Sequence, residues 1–119
     1  MENFKIQPRK GDIFMANLER DPLTKKSGIR PVVIVQNNKG NAHSGSIIAV
    51  VITGKDKKPL PTHVMISQKF GLKVPSTALC EHIITIDKSC LLDYMGTLVN
   101  TGVMKKLDDA LKVSLALTE

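Results

Sequence analysis

The chain reads as a mainly β fold with helices, a small antiparallel β-barrel closed by one C-terminal α-helix. Three observations carry that reading. Short β-branched apolar runs fill the first hundred residues. Clusters of Gly, Pro and Asn separate them. A single helical period follows at the end. At 119 residues this is one domain, 1–119, long enough to bury a core without disulfide or metal support.

The first expected strand is Gly11–Leu18, with Ile13, Met15 and Leu18 turned inward. Residues 19–29 form a polar loop with Lys25 and Lys26, near the upper length of ordinary connections, where loops are often functional. Residues 31–36 are apolar on both faces, the pattern of a central strand. Asn37 to Gly45 collects turn chemistry in Asn37-Asn38, Gly40-Asn41 and Ser44-Gly45. Ser46–Thr53 is a second buried strand, and Gly54–Pro61 a basic loop with Lys55, Lys57 and Lys58.

Thr62–Ser67 alternates as a half-exposed strand. Thr77–Asp87 is the fifth strand, Lys88–Leu92 one helical turn, and Met95–Val99 a short last strand. Asn100 or Thr101 caps a helix running to about Leu117. Its apolar stripe is Met104, Leu107, Leu111 and Leu115. A partly closed barrel leaves strand edges open, so a homodimer covering one edge is expected.

The formal charge is +6 and lies wholly in the first half. Residues 1–60 hold eleven Lys/Arg against five Asp/Glu, and the remainder holds six of each. Such a field favours a polyanion or an acidic protein partner. No apolar run nears the roughly 20 residues of a membrane span, and the start lacks a secretory apolar region. A soluble cytoplasmic protein with no membrane partner is expected. Cys80 and Cys90 are expected as reduced thiols. The cysteines and histidines lack the paired spacing of a zinc site.

Three arginines stand among fourteen lysines: Arg9, Arg20 and Arg30. Arg30 sits at the mouth of an apolar strand, directly before Pro31. A guanidinium fixed by a rigid X-Pro step can grip a phosphate bidentately.

Six segments then fall into a familiar order. They are Gly11-Asp12-Ile13 with Ala16 and Leu18; Gly28-x-Arg30-Pro31 running on to Gln36-Asn37; Ile52-Thr53-Gly54; Pro61-Thr62-His63-Val64; Thr85-Ile86-Asp87-Lys88; and Asp109-Ala110-Leu111. In this order the chain resembles the MazF/PemK toxins, bacterial mRNA interferases, over roughly residues 10–117. The resemblance implies an SH3-like barrel of the MazF, Kid and CcdB kind, working as a homodimer. It implies an endoribonuclease that cuts single-stranded RNA without metal or other cofactor, inhibited by an acidic antitoxin. The family's active-site arginine falls on Arg30, its threonine on Thr53, and an acidic position on Glu81. Two departures stand out: Ile84 occupies a position where relatives commonly carry arginine, and Thr24-Lys25-Lys26-Ser27 replaces a Glu/Gly-rich approach to Arg-Pro.

RNA cuts itself when a 2′-OH attacks the adjacent phosphorus. Arg30 would stabilise the charge that grows there. Thr53 Oγ1 would donate to a non-bridging oxygen, and Gly54 would admit the backbone close to it. Glu81 is the chemical candidate for proton acceptor, since on a strand it shares a face with Leu79 and Ile83 and burial would raise its pKa. A structural, ion-paired carboxylate is the alternative. His82 is an acid–base candidate or a groove residue, whereas His63 reads as structural and His43 as exposed. Cys80 and His82 would share one side of a strand, but nothing else in the sequence organises them as a Cys–His nucleophile pair.

Lys25, Lys26, Lys55, Lys57 and Lys58 either track an RNA backbone or solvate their loops. With only Phe4, Phe14, Phe70 and Tyr94 as aromatics, extensive base stacking is not expected. The rival functions are a non-catalytic toxin on the same scaffold that binds a protein such as DNA gyrase, and an RNA-binding barrel that has lost cleavage.

Overall fold

The computed structural model describes residues 7–20, 28–55 and 58–117. Among these residues six strands form one antiparallel sheet: β1 (Asp12–Asn17), β2 (Ile29–Ile34), β3 (Ser46–Thr53), β4 (His63–Ile66), β5 (Ser76–Asp87) and β6 (Leu91–Thr97). Their order across the sheet is β4-β5-β3-β2-β1-β6. Helix α1 (Asn38–His43) links β2 to β3, and α2 (Gly102–Ser114) ends the fold.

The sheet buries both faces. On one, Ile13, Val33, Val50, Ile52, Val64 and Ile66 pack with Leu107 and Ala110 of α2. On the other, Phe14, Ala16, Val32, Ile34, Ala49 and Val51 pack with Ile86, Cys90 and Leu91. This double burial explains the unbroken apolar runs of β2 and β3, which lie inside the sheet as their sequences predict. It also corrects β1: Phe14 and Ala16 are buried alongside Ile13, while Met15 is half-buried.

The sheet curls into a half-barrel. After β4, a 3₁₀ turn at Gln68–Phe70 crosses to β6, the opposite end of the sheet. A Cβ on Gly71 would overlap the Met95 carbonyl, and one on Gly96 would overlap the Phe70 carbonyl. Bare backbone therefore meets bare backbone at the seam.

Three local expectations change. The Asn37–Gly45 turn contains α1: Asn37 Oδ1 accepts the Gly40 N–H at 2.8 Å as N-cap, which typically stabilises a helix by about 1 kcal/mol. The fully buried Asn41 exchanges hydrogen bonds with Gln36 and so outweighs the poor helix propensity of Asn and Gly. The last strand is Leu91–Thr97, not Met95–Val99, because it pairs with β1 through two register shifts that extend the ladder. Helix α2 is capped by Thr101 as expected but ends at Ser114. Leu115 is 54% exposed, and Ala110 takes its place on the core.

Candidate active site

Arg30 and Thr53 belong to neighbouring strands. The β2–β3 register pairs Ile34 with Ala49, Val33 with Val50 and Val32 with Val51. Alternation puts Arg30, two residues before Val32, and Thr53, two residues after Val51, on the face of those two valines. The β2–β3 ladder stops at Val32 and Val51, so the two side chains stand where the strands part. On either side the row continues, through Ala16 of β1, the partner of Arg30, and Thr77 of β5, the partner of Thr53. Met65 of β4 ends it.

The local sequence fixes both groups. Gly28 has φ +83°, a conformation that favours glycine, and its carbonyl accepts the Leu18 N–H to close the loop before Arg30. Thr53 is 6% exposed, and its Oγ1 accepts the Lys55 N–H at 3.2 Å. That bond orients the hydroxyl and leaves its proton to donate. Gly54 and Lys55 follow directly and line a cavity of about 510 Å³ with Met65, Gln68, Phe70 and Thr77. A Cβ on Gly54 would stand 2.8 Å from Val74 Cγ2, so the glycine also makes room for a side chain.

Glu81 stands apart from this row. The β3–β5 register pairs Val51 with Leu79 but Val50 with Ile83, so Cys80, Glu81 and His82 form a bulge. Glu81 Oε1 accepts from Thr62 Oγ1 at 2.7 Å, and Oε2 meets His63 Nε2 at 2.9 Å. The expected burial beside Leu79 and Ile83 does not occur, because the bulge breaks the alternation and leaves Glu81 exposed. Desolvation pushes its carboxyl up, but hydrogen bonds from His63, Thr62 and its own backbone bring it below the ordinary value.

Residues 9–115 match the sequence model of the PemK-like, MazF-like toxins of type II toxin–antitoxin systems. The chain belongs to this family. It is 40% identical over 111 residues to an endoribonuclease MazF of Staphylococcus saprophyticus, covering 92% of each chain. It is also similar in structure to a mycobacterial endoribonuclease solved with its cognate antitoxin, with TM-score 0.79, 28% identity and coverage of 94% and 98%. A MazF of Deinococcus radiodurans shares the fold at TM-score 0.78 and 18% identity, over 94% and 99% of the two chains.

The remaining candidates of this MazF-like chain fall into place around these two centres. Lys55 and Lys58 are exposed, whereas Lys25, Lys26 and Lys57 lie outside the described residues. His82 is exposed and Cys80 is fully buried, so the bulge separates the supposed Cys–His pair. Burial, then the neighbouring Glu81 charge, pushes the Cys80 thiol up to about 12. Cys80 and Cys90 are free thiols in opposite cores. Ile84 packs against the core that holds Ile86 and Cys90. No described helix is long and apolar enough to cross a membrane. Thr62 and His63, the partners of Glu81, lie in the Pro61-Thr62-His63-Val64 segment, but the sequence alone does not connect them to it.

Proposed function

We propose that this MazF-like chain is a metal-independent, sequence-selective endoribonuclease toxin that cleaves single-stranded mRNA and is neutralised by a cognate antitoxin. The observation that carries the reading is the common face of Arg30 and Thr53 at the opening where β2 and β3 part. A guanidinium and a hydroxyl so arranged suit one phosphodiester.

In the proposed reaction the 2′-oxygen forms a bond to phosphorus and the bond from phosphorus to the 5′-oxygen breaks. Glu81 is the proposed acceptor of the 2′-OH proton, reaching toward the linkage from its bulge four residues along β5 from Thr77, the partner of Thr53, and water returns a proton to the 5′-oxygen. Arg30 stabilises the charge on the non-bridging oxygens, where a fixed donor is worth about 10²–10³ in rate. Thr53 donates to the same group. At neutral pH Glu81 is anionic, its pKa held below the ordinary carboxylate value, so it is in the accepting form there. Lys25, Lys26, Lys55, Lys57 and Lys58 would track the RNA backbone, and Gly54 and His82 would line its path.

An acidic antitoxin suits the +6 charge, and a homodimer suits a sheet with two edge strands. Purified protein is expected to cut an unstructured RNA in EDTA, leaving a 2′,3′-cyclic phosphate or 3′-phosphate and a 5′-hydroxyl. DNA of the same sequence should resist, lacking the 2′-OH. Cleavage of the DNA, or loss of cutting on chelation, would refute the mechanism.

A further inference from the structure

His63 has one ring nitrogen committed and the other unmatched. Its side chain is 8% exposed. Nε2 lies 2.9 Å from Glu81 Oε2, while Nδ1 is buried with no hydrogen-bond partner. A neutral imidazole with its proton on Nε2 suits this environment. It donates to the carboxylate and leaves only a lone pair at the unmatched Nδ1. An imidazolium would bury an N–H with nothing to accept it, which is costly.

We infer that His63, together with Thr62, is a positioning residue that holds the Glu81 carboxylate in place as a neutral Nε2–H donor, fixing both the orientation of Glu81 and its accepting form. The two side-chain bonds use one acceptor site on each carboxylate oxygen, and the Glu81 backbone N–H takes a further one. Because Glu81 stands on a bulge, the strand alone does not orient it; β4 does so through adjacent residues of its approach and start. Thr62 also accepts the Cys80 N–H through its carbonyl, which ties the bulge to β4 by backbone as well.

The charged and titratable groups around His63 are Glu81 and Cys80 from β5, and Lys106 and Asp109 from α2, which line a cavity of about 390 Å³ with it. Only Glu81 is within bonding distance of its ring among the described residues. The inference rests on the proposed role of Glu81 in RNA cleavage, but its physical part can be measured without RNA.

The test combines the ¹⁵N signals of His63 with the side-chain carboxyl ¹³C titration of Glu81 in the full chain. At pH 7, His63 should carry its proton on Nε2 with Nδ1 bare. In His63→Leu the Glu81 midpoint should move upward, and the acidic limb of the RNA-cutting profile should move with it. Cutting at neutral pH should fall roughly tenfold, the effect expected of one hydrogen bond to a charged group. His63→Gln, which retains an N–H near the Nε2 position, should restore both the midpoint and the limb.

Thr62→Val should shift the midpoint in the same direction. A proton on Nδ1, or an unmoved midpoint in folded His63→Leu, overturns the inference. Should His63→Leu fail to fold, Thr62→Val and the wild-type tautomer decide it in the same way. If wild-type protein cuts no RNA, the proposed function fails while these titrations still judge the positioning.

Discussion

Arg30 and Thr53 stand on two central strands, each in regular register with its outer neighbour, whereas Glu81 stands on a bulge and is tied to an edge strand. The first pair is placed by backbone regularity: alternation and ladder register set the face and the row. The second group is placed by side chains: Thr62 and His63 do what the strand does not. A backbone-placed group should tolerate changes in its neighbours, while a side-chain-placed group should fail with its supports.

The largest effect should come from the first region. Arg30→Ala should lower RNA cutting by 10² or more in folded protein, since the group it removes acts on developing charge. Undiminished cutting in a gel assay would take Arg30 out of the site.

Thr53→Val keeps the shape but removes the hydroxyl, and leaves the Lys55 N–H without its acceptor. Cutting should fall by less than for Arg30→Ala, with stability falling about 1–3 kcal/mol in urea melts. A larger loss for Thr53→Val than for Arg30→Ala would reverse their assigned weights.

Cys80→Ser sharpens the contrast by testing the bulge without touching either group. A hydroxyl in that core should cost about 1–3 kcal/mol yet leave cutting at saturating RNA intact. The native thiol, with its pKa at about 12, should resist alkylation at pH 8 until the protein unfolds. Rapid labelling of folded protein would contradict the packing described for it.

Acid titration addresses the second region directly. The folded pKa of Glu81 is depressed, so its stabilising contribution is present above the unfolded value and disappears as pH falls through the folded one. Wild type should therefore melt above Glu81→Gln at pH 7, and the two curves should converge in acid. A gap that widens in acid would contradict the sign.

The smallest effect is expected at Lys55→Ala. RNA affinity should fall a few-fold, and the slope of log affinity against log salt should shrink by about 0.7, the contribution of one phosphate contact on a single strand.

Much of this contrast was legible in the sequence, and the illegible part has a clear cause. The β-branched runs at residues 31–36 and Ser46–Thr53 announced two buried strands, and strand β3 has the expected bounds. Arg30 before Pro31 pointed to a strand mouth, and β2 begins at Ile29. The bulge at Cys80–His82 left no mark, because it depends on how β5 divides its pairing between β3 and β4. Period-two reading therefore put Glu81 on a buried face and Cys80 beside His82. Helix α1 was hidden for a related reason. Its Asn-Gly sequence looks like a turn until Gln36, Asn41 and the Lys88 ammonium, 2.6 Å from the Asn41 carbonyl, are seen to close around it.

The seam between Gly71 and Gly96 has a consequence for how such a scaffold can vary. Two main chains in contact hold the sheet's ends at a separation that no side chain sets. Loops bordering the opening can then exchange one residue for another without widening or narrowing it, so long as those two positions stay bare. Diversity at the rim and constancy of the frame are thus separable, and the frame needs only two hydrogens in place of side chains.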